Sequence, residues 1–187
     1  MPLLTPYLSR ARTRLVVDHL RGDVLDVGCQ RGQLRDLAGD QVGRYVGIDL
    51  SADAIDAARA AHPDAEFHVI DVDAEDLPFE SEFDTVVLVA VIEHVFDLAH
   101  LGHGLARALR PGGRVVLTTP TPFGNDVVHR MGARVGLFHQ GAVDDHIAIF
   151  NRQRLRVFAD EVGLRLVEHR RFQLGCNQVA VLEKSAA

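Results

Sequence analysis

The chain has 187 residues, 47% of them hydrophobic and 25% charged, which suits a single domain that buries its own core without disulfides or a structural metal. Its 20 basic and 26 acidic side chains leave a net charge of −6, a poor basis for generic attraction to phosphate backbones, so no nucleic-acid partner is expected. Two cysteines with no CxxC spacing read as reduced thiols of a cytoplasmic protein, and neither a membrane-spanning apolar run nor a signal peptide is expected.

Taken in chain order, short apolar runs alternate with helical patterns. The first run, Val24-Leu25-Asp26-Val27, ends at glycine. Tyr45 to Asp49 is the second, followed by a helix that Ser51 or Asp53 can cap and Pro63 stops. Phe67 to Ile70 and Thr85 to Val89 come next, then a helix from Asp97 to Leu109 closed by Pro111-Gly112-Gly113. Arg114 to Thr118 is the fifth run. Continuous β-branched runs of this kind mean burial on both faces, as in a parallel sheet. Strand and helix in regular alternation predict a doubly wound α/β fold with right-handed crossovers. After a helix from Asn151 to about Val162, Leu164 to Glu168 and Gln178 to Leu182 are joined by a short loop. They are expected to pair antiparallel, making seven strands in all.

Thr121 to Phe150 fits no strand-helix unit. Segments this long are usually functional or disordered, and this one is expected over the ligand crevice at the C-terminal edge of the fifth strand.

The first run leads into Gly28-Cys29-Gln30-Arg31-Gly32, where missing side chains let a ligand approach backbone N–H groups. Such a loop is also what any tight strand-to-helix turn needs, so alone it is weak evidence. Asp49 ends the second run, where a carboxylate can accept both ribose hydroxyls of a nucleoside or simply cap the next helix. A dinucleotide fingerprint requires glycines where Gln30 and Gln33 stand, and no lysine supplies a P-loop, so neither NAD nor a nucleotide triphosphate fits.

Five segments in order carry a resemblance to class I methyltransferases that use S-adenosyl-L-methionine (SAM). They are Val24 to Gly32, Tyr45 to Ser51, Asp73-Ala74-Glu75-Asp76-Leu77-Pro78-Phe79, Phe83 to Val95, and Leu109 to Arg114. The closest flavour is the small-molecule group that includes ubiquinone-type O-methyltransferases. The resemblance implies a Rossmann-like sheet with a terminal hairpin, one SAM-binding domain over residues 1–187, and residues 121–150 as a substrate-side insert. It implies that Asp26 and Gly28 approach the methionine part of SAM, and that Gly32 packs the helix start close by. Asp49, with Leu50 beside it, would hold the ribose. Asp73 and the Ala74 N–H would face the adenine, and the Val89 carbonyl the SAM amino group. Gln30 stands where the family usually has glycine, so its side chain either crowds the methionine tail or hydrogen-bonds to it.

A hydroxyl acceptor must lose a proton, which a histidine near its free pKa can take. Among ten histidines, His146 and His94 are the candidate bases, each weighed against a structural role. His146 follows Asp144-Asp145 and resembles a histidine common before the penultimate helix of related enzymes. His94 follows Glu93 beyond the fourth strand. His129 and His139 are weaker. A metal held by His139, Asp144, Asp145 and His146 lacks any fixed ligand geometry and is not expected. An amino group on nucleic acid is not the expected acceptor, since Val89-Ala90-Val91-Ile92 replaces the Asn/Asp-Pro-Pro-Tyr segment of such enzymes. The expected acceptor is a small molecule. The competing reading is a non-catalytic or partner-dependent protein on the same fold, as a homodimer or with another chain.

Overall fold

The computed structural model describes residues 5–126 and 147–186. Its elements are α1 (Thr5–Val17), β1 (Val24–Val27), α2 (Gln33–Ala38), β2 (Tyr45–Asp49), α3 (Ala52–Ala61), β3 (Glu66–Val69), β4 (Phe83–Val89), α4 (Leu98–Ala108), β5 (Leu109–Pro120), α5 (Arg152–Glu161), β6 (Leu164–Phe172) and β7 (Asn177–Lys184). The strands form one sheet in the order β3-β2-β1-β4-β5-β7-β6. β1 to β5 pair in parallel, and β7 is antiparallel to both β5 and β6. This is the α/β architecture with a terminal hairpin expected from the sequence.

Successive strand residues point to opposite faces, and both faces are buried. Leu25, Ile48, Leu88 and Leu117 pack with α4 and α5 through Leu101, Leu105, Leu155 and Phe158. Val24, Tyr45, Val87 and Val116 pack on the other face with Val16, Leu34 and Ile55 from α1, α2 and α3. Burying each such side chain stabilises the fold by about 1.5–3 kcal/mol. Helices therefore sit on both faces because neither face of the central strands tolerates water.

The helix starts follow the sequence closely. The side chains of Ser51, Asp97 and Asn151 each accept a hydrogen bond from the backbone N–H three residues on, capping α3, α4 and α5. Gly163 closes the turn after α5 at φ 75°, a conformation that favours glycine. Two differences stand out. β5 begins at Leu109, which pairs with Phe83, and runs through Pro111-Gly112-Gly113 after a register shift. The sequence there reads as a turn, but pairing with β4 draws it into the sheet. α1 has no counterpart among the elements expected from sequence. It lies against α2 and the strands β4 and β5.

β1 and β4 are neighbours although β2 and β3 intervene in sequence. The chain reverses its direction of travel across the sheet at this point, which opens a crevice at the C-terminal strand ends.

Candidate active site

At the end of β1 the chain turns sharply. Gly28 has φ 74° and Gly32 φ 82°. The N–H groups of Gly28 and Cys29 both donate to the Ile48 carbonyl, at 2.8 and 3.0 Å, binding the loop to β2. A Cβ on Gly28 would come within 2.4 Å of a Val91 methyl, so the loop lies close under the end of β4. A Cβ on Gly32 would meet the His62 ring at 2.7 Å. Gly32 thus brings the start of α2 close to the end of α3, rather than opening directly on the cleft.

Gln30 has φ 49°. It holds a left-handed conformation that costs a side-chain-bearing residue about 1–2 kcal/mol, and its side chain is exposed. Its backbone N–H donates to Asp49 Oδ2 at 2.9 Å. Asp49 Oδ1 accepts from the Ser51 N–H, also at 2.9 Å. The half-buried Asp49 carboxylate therefore ties the glycine loop to the end of β2. Leu50 beside it is 73% exposed. Ala90, just beyond β4, is a second non-glycine residue at positive φ, 57°. Backbone strain of this kind gathers at functional sites.

Asp26, Gly28, Gln30 and Val89 line one cleft, with Thr13 of α1 at its wall. Asp26 is only 3% exposed. It accepts a 2.6 Å hydrogen bond from the Tyr45 hydroxyl. Burial pushes the Asp26 carboxyl up to about 7, the Tyr45 bond opposes that, and the nearby Asp49 adds to it. Cys29, also buried, has its thiol pushed well up by burial and by the two aspartates. It is no nucleophile at neutral pH.

Asp73 and Ala74 stand in a hydrogen-bonded turn after β3. Asp73 Oδ1 accepts from the N–H groups of Phe96 and Asp97, at 2.9 and 3.1 Å, joining the loop after β3 to the loop after β4. The Ala74 N–H donates to the Asp71 carbonyl. Asp71 in turn accepts from the Asp73 N–H through its side chain, so it shapes the same turn.

His94 is exposed at the end of a short 3-10 turn, Ile92–His94. Glu93 is 1% exposed. Burial pushes its carboxyl up, while His94, the Thr119 hydroxyl and Arg12 of α1 favour its ionised form. The Glu93 carbonyl accepts from the N–H groups of Ile147 and Ala148, and the Thr121 N–H donates to Cys176. The Gln178 amide donates to the Phe150 carbonyl. Both described ends of the long segment are thus fastened at the C-terminal ends of β4 and β5 and the adjoining N-terminal end of the antiparallel β7. His146, His129 and His139 lie outside the described residues, as do Asp144 and Asp145. Among the described residues no cluster of histidine, cysteine and carboxylate is placed to hold a metal.

Three contributors escaped the sequence reading: Thr13, Tyr45 and Glu93. Tyr45 lay inside a recognised motif, and Glu93 next to a candidate base, but only the sheet register and α1 show what they face.

The crevice can be set beside known proteins. The chain is 36% identical over 100 residues to a ubiquinone biosynthesis O-methyltransferase of Hydrogenovibrio crunogenus, covering 51% of this chain and 42% of that one. It is 36% identical over 102 residues to a probable S-adenosylmethionine-dependent methyltransferase of Mycolicibacterium smegmatis, covering 52% and 38%. The chain matches less than half the length of these curated relatives. Among solved structures, a chain in the complex between the Haloferax volcanii Trm112 methyltransferase activator and a methyltransferase superposes with TM-score 0.77 at 20% identity, covering 98% and 92%. An S-adenosylmethionine-dependent methyltransferase from Mesorhizobium loti gives 0.69 at 19%, covering 87% and 90%. At these identities the structures establish the shared fold. The family model described as a methyltransferase domain matches residues 4–169, and the chain belongs to that family.

Proposed function

We propose that the chain is a SAM-dependent methyltransferase acting on a small molecule, with a hydroxyl oxygen as the acceptor. The observation that carries this reading is the cleft at the ends of β1 and β4, where a buried carboxyl, a close-packed glycine turn and a carboxylate at the end of β2 converge. These residues fit the ligand. Asp26 and the Val89 carbonyl suit its ammonium and Asp49 its ribose; its methionine tail lies along the Gly28–Gln30 turn, whose N–H groups are already given to Ile48 and Asp49. Asp73 and the exposed Leu50 border the adenine side, with Ala74 contributing the turn rather than a free N–H. SAM supplies a methyl carbon on a cationic sulfur, already activated for displacement. The protein's task is alignment of acceptor and donor. His146 and His94 are the proposed bases. The match to O-methyltransferases supports oxygen as the acceptor atom.

Both cysteines are free thiols, which favours a reducing, cytoplasmic setting. Among the described residues no helix is long and apolar enough to cross a membrane. We read the whole chain as one domain, with 121–150 on the acceptor side.

Titration calorimetry with SAM tests the reading, and release of S-adenosylhomocysteine in the presence of hydroxylated acceptors tests the reaction. Asp49→Ala removes the ribose acceptor and the anchor of the Gln30 N–H, and should weaken SAM binding by at least about tenfold. Unchanged affinity would show that the ribose lies elsewhere.

A second reading, action only with a partner protein, draws on the structural likeness to a chain from an activator complex. Turnover by the purified chain alone would exclude it.

A further inference from the structure

We propose that Tyr45 is a positioning residue for SAM: its phenol holds Asp26 so that the carboxylate can lose its proton and receive the ligand's ammonium. This rests on the reading of the cleft given above. The geometry is specific. Val24 of β1 pairs with Tyr45 of β2, and Asp26 with Gly47. Tyr45 and Asp26 therefore share a sheet face, offset by two residues. Gly47 between them carries no side chain, and a Cβ there would collide with Phe67 and with the Cys29 sulfur. The tyrosine hydroxyl reaches Asp26 Oδ2 at 2.6 Å, and each residue is 3% exposed.

The surroundings explain why the phenol matters. From β2, Asp49 faces Asp26 and raises its hold on a proton. From the loop after β1 comes Cys29, whose thiol is kept neutral by burial. α1 and α2 present Thr13 and Gln33 to the cleft, and β4 presents Val89, none of which titrates. Arg12, a buried cation of α1, interacts electrostatically with Glu93 and is not among the groups that shift Asp26. The Tyr45 hydrogen bond is thus what offsets desolvation of the Asp26 anion. A cationic ligand competes with the proton for the same carboxylate, so binding should weaken as pH falls through about 7.

Tyr45→Phe keeps the ring, which packs on Phe67 at 5.9 Å, and deletes the donor. A hydrogen bond to a buried charge moves the carboxyl's titration by about one pH unit or more, about tenfold in proton affinity. Asp26 would then stay protonated to higher pH. The test is calorimetric binding of S-adenosylhomocysteine to wild type and Tyr45→Phe between pH 6 and pH 9, with circular dichroism confirming both folds. The ligand's own ionisation cancels in the ratio of the two dissociation constants. The expected ratio is about tenfold near pH 6, falling towards one by pH 9. A ratio that is constant with pH, whether one or larger, overturns the inference, since a purely structural tyrosine would act equally at every pH. Asp26→Asn should remove the wild-type pH dependence below pH 8, and its persistence would equally overturn the inference. If wild type binds at no pH, the reading of the cleft itself fails, and this inference with it.

Discussion

Gln30 shows how a residue with a side chain can occupy a left-handed position in a turn and still leave the loop intact. The turn requires a left-handed backbone there, which glycine adopts freely and glutamine does not. The contact that secures the loop comes from the Gln30 backbone N–H to Asp49, and the side chain is exposed. Crowding of the cleft by this side chain is therefore not needed to explain its presence. Gln30→Gly should stabilise the fold by about 1 kcal/mol, the relieved strain outweighing the added chain entropy. SAM affinity should change by less than about threefold, under 1 kcal/mol. Thermal unfolding and titration calorimetry on the same preparation check both. A collapse of affinity would instead assign the glutamine side chain a direct role in holding the ligand.

Among the elements, the loops after β3 and β4 depend on one carboxylate. Asp73 Oδ1 satisfies the N–H groups of Phe96 and Asp97 just before α4, and Asp97 then caps that helix. Asp73→Ala leaves two backbone donors to water and should destabilise the protein by about 1–2 kcal/mol. Amide hydrogen exchange at Phe96 and Asp97 should accelerate selectively, which separates this role from a general loss of stability. Element boundaries were legible where a local signal set them, because capping is settled within a few residues of sequence. Ser51, Asp97 and Asn151 mark their helices to within a residue. The start of β5 was not legible, since pairing of Leu109 with Phe83 overrides the turn preference of Pro111-Gly112-Gly113. α1 escaped for a related reason. It is polar on average, and its buried Thr13 and Val16 are recognisable as such only against the finished sheet.

For the molecule as a whole, Asp26 sets a conflict between stability and binding. Its carboxyl holds a proton up to about 7 in the folded chain, against about 3.9 when unfolded. Between those values the folded state binds more protons than the unfolded state, so raising the pH across this window lowers stability. The loss levels off above about 7 and amounts to about 4 kcal/mol at full extent. Asp26→Asn should flatten this dependence and be more stable than wild type at pH 8, while binding SAM less well. Guanidinium unfolding at pH 5 and pH 8 measures the difference, and an unaltered dependence would assign the buried proton to another group. The sequence by itself determined the alternation of strands and helices, their caps, the terminal hairpin and the ordered motifs of the family. These rest on local preference and on side-chain periodicity. Only the tertiary structure decided that Tyr45 reaches Asp26, that Asp73 joins two loops, and that α1 brings Thr13 to the crevice. Such contacts depend on strand register and on packing between segments far apart in the chain, where no local pattern records the partner.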